Sequence, residues 1–181
     1  MIPTIETDRL ILRALKQADF EPLAAFFESD AARFVGGPMD RVAAWRHVAA
    51  SAGSWVLRGF GEFAVEHKAS GRIAGLVGPW FPEGWPEKEI GWIILPEFQN
   101  SGFGFEAAAR AIRFVYEDLG WTTAISCIAR DNRPSASLAE KLGATCGGEM
   151  EFKPYGKFPF YRHLSPAAFV EHVERRAYCD G

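Results

Sequence analysis

Glu89-Ile-Gly-Trp-Ile-Ile-Leu-Pro-Glu-Phe-Gln-Asn-Ser-Gly-Phe-Gly104 is the stretch on which the fold turns. It reads as a buried strand, a proline-ended turn, a glycine-rich loop and the start of a helix. The helix is expected over Phe105–Leu119, with Ala108, Ala111, Ile112, Val115 and Leu119 recurring at the helical period. A glycine-rich loop that enters a helix presents unpaired backbone N–H groups and the positive end of the helix dipole, an arrangement that binds phosphate. A phosphate-bearing ligand is therefore expected at Gln99–Phe105. A nucleoside-triphosphate loop would end in Gly-Lys-Ser/Thr, and this one ends in Gly102-Phe103-Gly104-Phe105. Gly102, Gly104 and Ala107 do fit the dinucleotide pattern G-x-G-x-x-A. That pattern also wants an acidic residue at the end of the next strand, and the region around Ser126 has none. An NAD-type oxidoreductase stays as a rival.

Outward from the loop, the chain alternates strands and helices. Arg9–Leu15 reads as a strand, and Ala18–Glu28 as a helix with Phe20, Leu23, Ala24 and Phe27 on one face. Asp40 caps a second helix to about Ala52, with Val42, Trp45, Val48 and Ala49 turned inward. Phe60–His67 and Arg72–Trp80 form a hairpin across Lys68–Gly71. Beyond the long helix come a strand at Thr122–Ala129, a short helix at Asn132–Leu142 stopped by Gly143, and a hairpin of Thr145–Lys153 and Lys157–Leu164 around Pro154-Tyr-Gly156. A last helix runs over 166–178. This order implies one α+β domain over 1–181, with antiparallel hairpins and one local parallel pair.

The chain has 181 residues, 48% of them apolar, and a net charge of −3, which speaks against a nucleic-acid partner. Cys127, Cys146 and Cys179 are too far apart to pair by motif, and the four histidines have no metal-ligand spacing. No leader and no membrane-length apolar run is present, so a cytoplasmic protein without a metal is expected.

Four motifs in order carry a resemblance. Gln99-x-x-Gly102-x-Gly104 resembles the pyrophosphate loop of the GNAT superfamily of N-acetyltransferases. Thr7-Asp-Arg-Leu-Ile-Leu-Arg13 and Glu89–Phe98 resemble two strands of the branch that includes ribosomal-protein N-terminal acetyltransferases. Asp131-Asn-Arg-Pro-Ser135 with Glu140-Lys-Leu-Gly-Ala144 resembles that branch's downstream element. The match spans about residues 7–164. It implies a mostly antiparallel twisted sheet of six to seven strands flanked by helices, with a splayed central parallel pair. It also implies acetyl-CoA as co-substrate and direct attack of a primary amine, from a small molecule or a peptide, in a ternary complex. No cysteine is expected beside the site by motif, which disfavours an acyl-enzyme. A homodimer is the commonest assembly for such a chain.

Residue by residue, the resemblance implies that Trp92, Ile93 and Ile94 offer a backbone edge to pantetheine. Gln99, Asn100, Ser101, Gly102, Phe103, Gly104 and Phe105 would wrap the pyrophosphate, and Asn132 would hold the pantetheine arm or cap its helix. Ser135 would assist the leaving thiolate, and Glu89 would be the general base with Glu62 in reserve. Trp45, Trp80 and Trp85 would wall the acceptor pocket. The loop carries Ser101 but no Lys or Arg, and Ala139 stands where many relatives have a tyrosine. These departures keep open a non-catalytic acyl-CoA-binding sensor, and the tryptophans an interaction module.

Overall fold

The structure is a computed structural model that describes residues 1–152 and 156–179, the side chains of 177–179 excepted. The strands are β1 (Ile5–Glu6), β2 (Leu10–Arg13), β3 (Phe63–His67), β4 (Arg72–Trp80), β5 (Glu89–Ile94), β6 (Ile125–Cys127), β7 (Thr145–Phe152) and β8 (Gly156–Arg162). They form one sheet in the order β1-β2-β3-β4-β5-β6-β8-β7. Every neighbouring pair is antiparallel except β5 and β6, which are parallel. The architecture is the expected α+β sheet with a central parallel pair. It has eight strands rather than six to seven, because Ile5–Glu6 adds an edge to β2.

Among the described residues five α-helices complete the fold: α1 (Phe20–Glu28), α2 (Arg41–Leu57), α3 (Phe103–Glu117), α4 (Arg133–Lys141) and α5 (Pro166–Cys179). The expected stripe of α3 is the buried one, with Ala108, Ala111, Ile112 and Val115 fully covered. The helix begins two residues earlier than its periodicity implied, since Gly102 at φ +80° turns the chain directly into it. Asp40 caps α2 by accepting from Ala43 N at 2.8 Å. The inward face of α2 differs from expectation. Ala44, Val48, Ser51 and Trp55 are buried, while Val42 and Ala49 face outward and Trp45 is half exposed. Apolar residues lie all round this alanine-rich helix, so periodicity alone could not set its phase. The Trp55 indole helps set it, donating to the Glu62 carbonyl at 2.9 Å.

Several strands are shorter than their hydrophobic runs, as the runs continue into covered loops. Leu10–Arg13, Phe63–His67 and Ile125–Cys127 are the paired portions. The expected turn at Pro154 and Tyr155 and the side chain of Cys179 lie outside the described residues. The main core lies between the sheet and the helices, where Phe27, Phe63, Leu76, Ile90, Ile112 and Phe169 are fully buried. Arg13 ties β2 to α1 and β3 by a forked bond to Asp19 (2.7 and 2.9 Å) and a bond to Glu66 (2.6 Å).

Candidate active site

The parallel pair holds together at one point. Glu89 and Ile125 are the registered partners, and Ile125 N donates to the Lys88 carbonyl at 3.1 Å. In a continuing parallel ladder, Cys127 N would bond next to the Ile90 carbonyl. It does not. Cys127 N donates to Glu89 Oε1 at 2.9 Å, and the Ile90 carbonyl accepts from Ser126 Oγ at 2.6 Å. Two side chains thus take over the ladder where the strands part, leaving a wedge that opens toward the end of β5. The closed end is locked from both sides. Trp85 Nε1 donates to Glu89 Oε2 at 2.6 Å, and His163 Nε2 lies 2.8 Å from Ser126 Oγ. The single Ser126 hydroxyl proton goes to Ile90, so His163 bonds through an Nε2–H. Burial pushes the His163 pKa down to about 4, which keeps the ring neutral.

Along β5, alternation decides which backbone groups face the wedge. The carbonyls of Lys88 and Ile90 point toward β6, and Ile94 shares their parity. The Ile93 carbonyl points to β4, and a Cβ on Gly75 would come within 1.9 Å of it. Of the expected trio, Trp92 and Ile94 thus present backbone to the wedge, while Ile93 belongs to the β4–β5 ladder. The Ile94 carbonyl accepts from Gln99 Nε2 at 2.8 Å. The Trp92 N–H and C=O are left along the opening.

At the mouth of the wedge lies the N-terminus of α3. No side chain caps it, and the first intrahelical bond is Glu106 N to the Gly102 carbonyl at 3.1 Å. The N–H groups of Phe103, Gly104 and Phe105 precede that bond and have no intrahelical acceptor. Asn100 at φ +59° and Gly102 at φ +80° curl the loop into a concave run of amides. A Cβ on Gly104 would lie 3.2 Å from Leu138 of α4 and 3.5 Å from Ile94, so glycine keeps the α3–α4 crevice open. The Phe103 ring is buried on Phe98 and His67, so this residue offers backbone only.

The loop lacks its own cation, yet one reaches it from β2's approach. Arg9 Nε and backbone N bond Glu106 at 2.7 and 2.8 Å, and Arg9 Nη1 donates to the Ser101 carbonyl at 2.9 Å. Its guanidinium lies over the Phe103 ring, 4.6 Å from the centroid, and Nη2 is 3.2 Å from where a Gly102 Cβ would stand. The Thr7–Arg13 motif marked this segment, but not its contact with the loop.

Across the wedge, α4 brings two expected residues together. Asn132 Oδ1 accepts from Ser135 N at 3.3 Å as a helix cap, which leaves its amide nitrogen for a ligand. Ser135 Oγ accepts from Trp92 Nε1 at 3.3 Å, so its own proton is available. The three tryptophans are not one wall. Trp80 stacks on His47 (5.9 Å), Trp85 packs on Phe152 (5.0 Å) beside Glu89, and Trp45 meets Phe20 edge-on (4.9 Å). Trp80 is the register partner of Glu89.

Cys127 corrects an expectation. It sits at the wedge, its backbone N–H bonded to Glu89. Burial, reinforced by the Glu89 charge, pushes the thiol pKa far up, so it stays a thiol and not a nucleophilic thiolate. Burial also raises Glu62 and Glu89 to about 7. Among the described residues no cluster of three or more His, Cys, Asp or Glu could hold a metal, and no helix is long and apolar enough to cross a membrane.

The comparisons bear on the family and the fold. A crystal structure of an acetyltransferase from Agrobacterium tumefaciens str. C58 is 30% identical, with a TM-score of 0.84 over 91% of this chain and 95% of its own. A ribosomal-protein-S5-alanine acetyltransferase from Vibrio fischeri shares the fold alone, at 16% identity and a TM-score of 0.69 over 90% and 96% of the two chains. YoaA of Bacillus subtilis (strain 168), an uncharacterized N-acetyltransferase, is 27% identical over 79% of this chain and 83% of its own. The family model described as an acetyltransferase (GNAT) domain matches residues 9–145, and the chain belongs to that family.

Proposed function

We propose that this protein is an acetyl-CoA-dependent N-acetyltransferase whose acceptor is a primary amine, attacking the thioester directly in a ternary complex. The observation that carries the reading is the wedge: a strand pair held by side chains at one end, with open backbone at Trp92 and uncapped amides at its mouth. Acetyl-CoA would supply an acyl group activated as a thioester. The amides of the Gln99–Phe105 loop would hold its pyrophosphate, and the Asn132 amide would hold its pantetheine arm. The Trp92 N–H would stabilise the oxyanion that develops on the acetyl carbonyl. Ser135 would donate its proton toward the departing sulfur. Glu89, engaged at both oxygens, would set the shape of the closed end. Trp80 and Trp85 flank that end and would line the acceptor side. The free thiols Cys127 and Cys146 suit a reducing compartment such as the cytoplasm. Arg9, which reaches the loop from the approach to β2, would supply the cation that the loop itself lacks.

The test is a thermal-shift titration with acetyl-CoA on wild type and Gly104→Val. Ligand at 100 times its dissociation constant stabilises the native state by about 2.7 kcal/mol. A rise in midpoint for wild type, lost when valine fills the α3–α4 crevice, is the expected outcome. No rise with acetyl-CoA, CoA or longer acyl-CoAs would remove the enzyme reading.

A further inference from the structure

Two carboxylates are buried around the closed end, and they differ in one respect. Glu89 has a donor on each oxygen, Cys127 N on one and Trp85 Nε1 on the other. Glu62, just before β3, is 6% exposed and its Oε2 has no hydrogen-bond partner. The Ser51 hydroxyl on α2 approaches and partly offsets the burial, yet neither Ser51 Oγ nor Glu62 Oε2 completes a hydrogen bond. An ionisable oxygen buried without a partner is costly, and native structures keep few of them without a reason.

The position of the carboxylate supplies a reason. Gly78 of β4 and Gly91 of β5 are register partners. A Cβ on Gly78 would lie 3.2 Å from Glu62 Cα, and a Cβ on Gly91 would lie 3.5 Å from Glu62 Oε1. The two glycines let Glu62 come close to both strands, its main chain against Gly78 and its carboxylate over Gly91. Gly91 immediately precedes Trp92, whose backbone faces the wedge. The carboxylate therefore stands one residue from the edge where a thioester would lie. Glycine inside a strand commonly marks such a close approach.

We propose that Glu62, rather than Glu89, receives the acceptor: its unpartnered oxygen accepts an N–H of the incoming ammonium and takes one proton from it. This rests on the acetyl-transfer reading above. The substrate class it names is a primary ammonium, because a carboxylate oxygen without a partner offers an N–H donor an acceptor and a cation a counter-charge. The proton balance is simple. The ammonium gives one proton to the Glu62 carboxylate and becomes a neutral amine. The amine nitrogen bonds to the acetyl carbon, the C–S bond breaks, and the second amine proton ends on the departing sulfur. Glu62 then returns its proton to solvent. Its pKa near 7 suits that cycle near neutrality. The groups facing it are the Glu89 carboxylate from β5 and the neutral Ser51 and Trp55 from α2, while Gly78 from β4 adds no charge.

The experiment uses the full chain and a defined panel: peptides with Ser or Ala amino termini, free amino acids, spermidine and kanamycin. CoA thiol release is followed against pH, and the best wild-type acceptor is carried to the variants. Glu62→Gln is expected to lower kcat/KM at neutral pH by about 100-fold or more and to erase the acid limb near 7, with acetyl-CoA affinity changed less than about twofold. Glu62→Ala is expected to lose as much and to recover about tenfold with added formate, which a structural role would not produce. These two variants fail independently, so a folding defect in one leaves the other decisive. If Glu62→Gln keeps its rate and its acid limb, the Glu62 assignment is overturned while acetyl transfer stands. If wild type binds acetyl-CoA yet acetylates nothing in the panel, both readings are overturned.

Discussion

The mouth and the closed end of the wedge are built in opposite ways. The mouth is backbone: the loop amides up to Phe105, oriented by Gly102 and Asn100, with no side chain capping the helix. The closed end is side chains: Glu89, Ser126, His163 and Trp85, brought from separate elements into one buried set of hydrogen bonds. A backbone site tolerates side-chain change wherever close approach is preserved. A side-chain lattice does not, because each group removed strands its partner. The cofactor side should therefore fail gradually and the acceptor side abruptly.

The sharpest break is Glu89→Leu. It removes the acceptor of the Cys127 N–H and that of the Trp85 indole in one change. With about 1–3 kcal/mol for each acceptor lost, a destabilisation of about 4 kcal/mol is expected in urea unfolding at neutral pH. Glu89→Gln, which keeps one carbonyl oxygen, should lose much less. A Leu variant as stable as wild type would mean that the closed end does not depend on this lattice.

Glu62→Gln should behave in the opposite sense, although the two glutamates are equally buried. The Glu62 pKa rises from 4.5 to about 7 on folding, so the native state holds an extra proton between those values. Stability contributed by Glu62 is intact below 4.5 and is lost as pH rises through about 7. The neutral amide escapes this loss. At about pH 8 the variant should be more stable than wild type by about 3 kcal/mol, and at about pH 4.5 the two should converge. His163, lowered from 6.5 to about 4, works the other way as pH falls, and Glu89, also raised to about 7, titrates in both proteins, so the difference between variant and wild type is the quantity to read. A variant less stable than wild type at high pH would show that Glu62 has a structural partner after all.

What was legible in the sequence divides along the same line. The β4 boundaries, the buried face of α3, the Asn132 cap and the loop follow from local requirements of the backbone, which neighbouring residues encode. The closed end follows from register across β3, β4, β5 and β6, which no local pattern carries. No motif joins Cys127 to Glu89, 38 positions earlier, so its place at the wedge is not legible in the sequence. The facing side of α2 was missed because its apolar residues have no single phase. For Glu62 the sequence offers only a place in reserve behind Glu89, although Gly78 and Gly91 carry a further signal: a glycine in a strand interior asks what approaches it.

Arg9 joins the two kinds of construction, a side chain serving the backbone site, and it carries the smallest effect. Its Nη1 holds the Ser101 carbonyl, its Nε and backbone N hold Glu106 in the first turn of α3, and its plane rests on Phe103. Half of its side chain is exposed, so solvent screens its charge and part of its pairing energy. Arg9→Ala should therefore weaken acetyl-CoA binding by about fivefold, roughly 1 kcal/mol, while kcat at saturating acetyl-CoA stays nearly unchanged. Arg9→Lys tests which part of the arginine acts. Lysine keeps the charge but cannot span Ser101 and Glu106 with a planar fork. If Arg9 acts by shaping the loop, lysine should bind acetyl-CoA as weakly as alanine does, and added salt should change the two variants alike. If lysine restores affinity and salt abolishes the gain, Arg9 acts as the loop's missing cation, and the mouth is less purely backbone than its geometry implies.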